Sequence, residues 1–320
     1  MLKILKKVFA SKLFRLIFSA ILVYFAFKKV NIIELFRDIK NVPFWFVLVN
    51  VVLSFWLVVL ISARWNLLLF SKIKIRTVLT FTRANFLATF YSLFFSTAVV
   101  GEVAKWMVID HKYPKIPKTK ILGSVLLDRF IGFSVFIILG LIAGIVGKTK
   151  GLIIPEIIFY LSIILNVVCG VVYFIIYFFD VSKLWPKFTL LHKLDDAFEL
   201  IKNKNKVQII KCLLISLLSE ITWILQIWFV GRQFGINLSL LAVFVFIPII
   251  SLILVLPISV GGFGAREQLY LFFFSQFGSN ESILLMSTFL GILGIINALF
   301  GGILLLFDVE MRKKLKNNNN

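Results

Sequence analysis

Two cysteines and two histidines are all that 320 residues supply of the usual metal ligands and thiol nucleophiles. Cys169 and Cys212 fall inside apolar runs, and His111 and His192 stand apart in polar stretches. No disulfide framework and no metal-ligand spacing can be assembled from them. Acidic residues are scarce as well, 15 against 35 Lys and Arg, for a net charge of +20. A Gly-x-x-x-x-Gly-Lys-[Ser/Thr] phosphate loop is absent, so ATP-driven chemistry within the chain is not expected. Long polar segments are missing too; the longest, about 180–206, reads as a loop. These absences leave no room for a soluble domain and point to no cofactor and no metal.

What fills the chain is apolar. Sixty per cent of the residues are hydrophobic, 36 of them Phe, and the mean hydropathy is +1.01. Several runs reach the roughly 20 residues that a bilayer-spanning helix needs. We read a single all-α membrane domain over 1–320, with a basic, Asn-rich tail at 311–320 expected to be disordered. The Lys and Arg residues lie between the apolar runs. That is the pattern of cytoplasmic loops rather than of a nucleic-acid-binding surface. The N-terminus is basic, with Lys3, Lys6, Lys7, Lys12 and Arg15, and the run behind it ends in Lys28-Lys29 without a small-residue cleavage site. It is therefore expected to be a retained first helix.

Expected helices cover about 13–27, 43–63, 121–147, 152–179, 207–230 and 282–307. The stretch Arg64, Lys72, Lys74 and Arg76 reads as a basic loop. The segment 77–110 carries Arg83, Glu102 and Lys105, with Thr82, Asn85, Thr89, Ser92 and Ser96 at alternating three- and four-residue spacings. Those five share one helical face. They serve either as glue between helices or as the lining of a polar cavity. The run 238–256 is expected to be interrupted by Pro248 and halted by Pro257, with a short amphipathic piece at 265–277. If 77–110 crossed fully, the lysines at 112–120 and 183–206 would lie outside. A dip and return keeps them inside. The expectation is a polytopic protein of the cell membrane with six full crossings, two re-entrant hairpins and both termini cytoplasmic; eight full crossings is the alternative. The two halves, roughly 1–150 and 151–310, then repeat helix, helix, hairpin, helix. Three crossings per half make them inverted repeats, a plan that places a substrate site at their interface.

The most informative stretch is Pro257-Ile258-Ser259-Val260-Gly261-Gly262-Phe263-Gly264-Ala265-Arg266-Glu267-Gln268. Glycines permit a tight turn, and a helix start near Ala265 would offer free N–H groups to an anion. Arg266 adds a planar cation suited to phosphate. Glu267 either neutralises Arg266, complements the helix dipole, or joins Arg266 in holding the turn. A charge inside a membrane costs roughly 2.5–3.5 kcal/mol, so such residues are functional suspects. Val100-Gly101-Glu102-Val103-Ala104-Lys105-Trp106 reads as the inverted partner, with Gly101 permitting the turn and Glu102 facing Lys105. Asp128-Arg129 stands near a helix entrance. Glu220 is alone in its helix and needs a partner, Arg83, Arg129 or Arg266.

The sequence Gly101-Glu102, Lys105, Asp128-Arg129, Pro257, Gly261-Gly262, Gly264, Arg266-Glu267 resembles the flippase-like integral membrane family that includes the transmembrane region of lysylphosphatidylglycerol synthases. The likeness spans nearly the whole chain. Lys105 stands where that family more often has Arg, and no Pro precedes Gly101-Glu102. No synthase domain is expected within 1–320. The resemblance implies a stand-alone translocator of a lipid with a polar headgroup, not an enzyme. The substrate would be bound by Arg83, Glu102, Lys105, Asp128, Arg129, Glu220, Gly261, Gly262, Gly264, Arg266 and Glu267. On this reading Arg266→Ala should stop lipid movement without unfolding the protein, and Glu220 or Asp128 would couple protons. Membrane lipids with anionic headgroups are the expected partners. A separate lipid synthase or glycosyltransferase and a second copy of the chain stay open, and nucleic acid is not expected. Two rival readings are an intramembrane lipid transferase, with Glu220 or Glu102 as general base, and a non-transporting partner that recruits a synthase through 180–206.

Overall fold

The computed structural model describes residues 41–70, 72–95, 98–178, 206–256, 259 and 262–306. They form nine helices and no strand: α1 Phe44–Phe70, α2 Ile75–Phe95, α3 Ala98–Lys112, α4 Lys118–Thr149, α5 Glu156–Phe178, α6 Lys206–Gln233, α7 Leu240–Val255, α8 Ala265–Phe274 and α9 Asn280–Leu306. Helices α1, α4, α5, α6 and α9 are long and apolar enough to cross a membrane. The first expected helix, 13–27, and the stretch 180–205 lie outside the described residues, as do the 311–320 tail, Pro257 and Gly261.

The two expected hairpins are helix pairs. α2 folds back along α3, and α7 is followed by α8 packed against it. Helix ends differ from expectation in one place that matters. α1 does not stop at 63 but runs two turns further, so Arg64 is not in a basic loop. It is inside a helix and 3 % exposed. The apolar run Leu67-Leu68-Leu69-Phe70 extends the helix, and Leu67, Leu68 and Leu69 are buried. Pro248 does not interrupt α7 either. Proline denies a helical donor to the carbonyl four residues back, here Phe244, and that carbonyl faces Gly140 of α4. The freed carbonyl thus lies inside the protein at the α4–α7 crossing, where membrane helices tolerate proline.

The polar face of α2 glues helices at one point: Asn85 donates to Ser62 Oγ of α1 at 2.8 Å, whereas Thr82 and Thr89 donate to carbonyls of their own helix. Ser92 lies against Gly101; Ser96 is outside the described residues. Gly101 makes no turn. It sits within α3 and lets that helix approach the Ala88 carbonyl of α2.

The packing has an internal order. α1 packs on α6, α2 on α9, and α4 on α7; both α1 and α6 also touch α4 and α9. Exchanging α1–α4 for α6–α9 turns this set of contacts into itself, and only α4–α5 is left over. Glycines open the two equivalent crossings. Gly140 of α4 meets Pro248 of α7. Gly301 of α9 meets the Phe86 carbonyl and the Phe90 ring of α2. Any Cβ at 301 would overlap the Phe86 backbone, which cannot move like a side-chain tip. Gly301→Leu is expected to cost about 1–3 kcal/mol, the usual penalty for overpacking. It should appear as an earlier thermal loss of monodisperse protein in detergent; an unchanged melting profile would show that the α2–α9 crossing is looser than its geometry.

Candidate functional site

Among the described residues, intramembrane charge gathers in two places. The first lies where α1, α3, α4 and α6 meet. Arg64 Nε donates to Asp128 Oδ1 at 2.7 Å, its Nη1 donates to Ser216 Oγ at 3.3 Å, and the same nitrogen lies 3.8 Å from Glu220 Oε1. Gly132 leaves the space for that guanidinium: a Cβ there would stand 2.8 Å from Nη1. Asp128 is as buried as Arg64. An ion pair withdrawn from water is worth its desolvation only with good geometry and further hydrogen bonds, and this pair has both.

On the next residue of α4, Arg129 Nε donates to Glu102 Oε1 at 2.8 Å, and its Nη2 bonds to the same oxygen. The second Glu102 oxygen pairs with Lys105 at 3.3 Å. Lys105 is buried and lies 5.7 Å from the centre of the Trp65 ring, within cation–π reach. Trp65 is fixed in turn by donating to Ser124 Oγ at 2.9 Å.

A cavity of about 480 Å³ opens beside these groups, inside the helix bundle. Arg64, Arg129, Ser219, Glu220, Ser251 and Asn297 give it polar points, and Leu57, Phe133, Phe136, Trp223 and Leu254 make up much of the rest of its wall. Asn297 Oδ1 is buried without a hydrogen-bond partner. The cations around the cavity are not equally free. Arg64 and Lys105 are 4 % and 5 % exposed along their side chains, whereas Arg129 is 51 % exposed. Arg129 is thus the cation that an entering anion reaches without breaking a buried pair.

The second gathering is the glycine turn. Gly262 and Gly264 adopt φ of 81° and 80°, the left-handed region that glycine enters without penalty. α8 starts at Ala265 as expected. The Gly264 N–H is not left open to a ligand: it donates to Glu267 Oε2 at 2.6 Å. Arg266 Nη2 donates to Glu267 Oε1 at 2.8 Å and its Nε to Ser287 Oγ at 3.2 Å, while Ser287 Oγ donates to Glu267 at 3.1 Å. Gly291 of α9 lies against the guanidinium and has no room for a Cβ. Glu267 is 2 % exposed. Of the three roles foreseen for Glu267, the geometry combines charge neutralisation with capping, so that Arg266 and Glu267 hold the turn.

The cavity therefore brings together Arg129 and Glu220 among the expected site residues, with Asp128, Glu102 and Lys105 directly behind them. It is not lined by Arg83, which is half-buried on α2, nor by Gly262, Gly264, Arg266 or Glu267. Glu220 finds its cation in none of the three expected partners but in Arg64. The signal for Arg64 was present: an Arg followed within three residues by Leu-Leu-Leu-Phe is too far from a helix end to reach water by snorkelling.

The sequence matches the family described as the lysylphosphatidylglycerol synthase TM region over residues 12–304. No curated protein and no solved structure matches the chain.

Proposed function

Since the chain belongs to the family of the lysylphosphatidylglycerol synthase transmembrane region and is a multi-pass membrane protein, we propose that it is a flippase or transporter that moves a lipid with an anionic headgroup between bilayer leaflets. The headgroup enters the cavity between α1, α4, α6, α7 and α9 while the acyl chains stay in the bilayer. One observation carries this reading: a cavity of about 480 Å³ inside an apolar bundle, with a half-exposed arginine on its wall. Phosphate suits a guanidinium because the planar fork meets two oxygens at once. Glu102 holds Arg129 in the empty site and competes with the headgroup for it, which favours release.

The exchange symmetry of the helix contacts supports an inverted repeat, the plan on which alternating access is commonly built. The lysine-rich stretches at 112–120 and 183–206 support cytoplasmic termini in the cell membrane. A separate synthase would supply the lipid.

The test is the lipid that travels with the protein. Wild type and Arg129→Gln, purified in mild detergent, are compared by lipid mass spectrometry. One anionic headgroup class should be enriched in the wild type. It should fall about ten- to a hundredfold in the variant, since a hydrogen bond to a charged group is worth about 1.5–3 kcal/mol. Bulk lipid in membrane proportions in both samples would remove the proposal.

A further inference from the structure

Among the described residues, the charges around the cavity balance. Arg64, Arg129 and Lys105 face Asp128, Glu102 and Glu220, three cations and three carboxylates joined by contacts of 3.8 Å or less. The balance is uneven locally. Lys105 and Arg129 share Glu102, whereas Asp128 and Glu220 share Arg64. Asp128 holds the guanidinium at 2.7 Å and Glu220 stands at 3.8 Å, so Glu220 is the carboxylate served less well. It also lines the cavity, in the middle of α6, while Asp128 does not. Among the described residues of the other helices that bound the cavity, α4 also brings Arg129 to the same wall, beyond ion-pair distance of Glu220, while α7 contributes Ser251 and α9 Asn297, both neutral, and α6 itself adds Ser219.

An anion entering this neutral set leaves one negative charge unmatched in a low-dielectric space. The cheapest correction is a proton on the carboxylate that is both weakly paired and open to the cavity. We propose that Glu220 is a proton site, taking up one proton with each anionic headgroup that enters, so that lipid movement is coupled to protons. The inference rests on the proposed function for the identity of the anion. It deepens that function by naming the co-transported ion. Coupling of this kind is reciprocal: whatever the anion does for proton affinity, the proton does for anion affinity.

Infrared difference spectroscopy reads the proton directly. The full-length protein is reconstituted in phosphatidylcholine vesicles with and without phosphatidylglycerol at neutral pH. The expected result is a protonated-carboxyl C=O band, shifted in D₂O, that appears with phosphatidylglycerol and is missing in Glu220→Gln. In Arg129→Gln the empty set has two cations for three carboxylates, so the band should be present with or without phosphatidylglycerol. Absence of the band from the wild type with phosphatidylglycerol, its persistence in Glu220→Gln, or a band that still depends on phosphatidylglycerol in Arg129→Gln overturns the proposal. Transport of a fluorescent phosphatidylglycerol separates this outcome from failure of the function itself. An acid step of one pH unit on the entry side should raise the initial rate by up to about tenfold for one proton per lipid. Whatever movement Glu220→Gln retains should ignore the step. Movement in the wild type that ignores it leaves the flippase standing and the proton site refuted. The band without any movement leaves the proton site standing and the flippase refuted. Gln is isosteric with Glu, and monodisperse elution of the variant confirms that a missing band is not misfolding.

Discussion

Asp128→Ala should destabilise the protein by about 3–5 kcal/mol, the usual result of stripping one partner from a buried ion pair. Arg64 is 3 % exposed, and its shortest contact is the 2.7 Å bond to Asp128. Without Asp128 the guanidinium keeps only Ser216 and the more distant Glu220. The Arg cannot shed its charge, and Gly132, which makes space for it, offers no side chain in exchange. Loss of monodisperse protein on heating in detergent measures the effect. Replacing both residues by Leu should recover much of it, because two apolar side chains of suitable volume need no compensation. An Asp128→Ala protein that melts with the wild type would mean that Glu220 alone satisfies Arg64. That would contradict the charge balance on which the cavity argument stands.

The same pair shows where the sequence was readable. The helix hairpin over 77–110 follows from the lysine-rich stretches around and after it, and the one over 238–277 from the basic C-terminus and the glycine turn. Asp128, Glu220 and Glu102 were visible because a carboxylate in an apolar run has few innocent explanations. Lys105 was visible as a partner of Glu102 three residues on, whereas the partners of Asp128 and Glu220 were not, since that pairing runs between α1, α4 and α6, elements far apart in sequence. Arg64 was hidden by its neighbours Lys72, Lys74 and Arg76, which make it look like the edge of a loop. Only the apolar run after it places it inside the helix. The polar face of α2 shows the opposite limit. Periodicity tells which residues share a face but not whether that face meets water or another helix, and Asn85 meets Ser62.

Arg266 is where the motif and the geometry pull apart. The motif marks it as a phosphate ligand, whereas its guanidinium is spent on Glu267 and Ser287 and seated against Gly291. Arg266→Ala should therefore cost about 3 kcal/mol of stability, because the 2 % exposed Glu267 is left with an uncompensated charge. Arg266→Ala with Glu267→Gln should regain at least ~1 kcal/mol of that loss, the coupling expected of residues in direct contact. The neutral amide no longer needs the cation, and its oxygen still accepts from the Gly264 N–H. Transport then decides the role. If the double variant regains both stability and lipid movement, Arg266 holds the turn that starts α8 and the headgroup belongs to the cavity at Arg129. If it regains stability and stays inactive, the guanidinium itself meets the lipid. The pair with Glu267 would then be the resting state of a second binding site, one that must open before a headgroup can reach it.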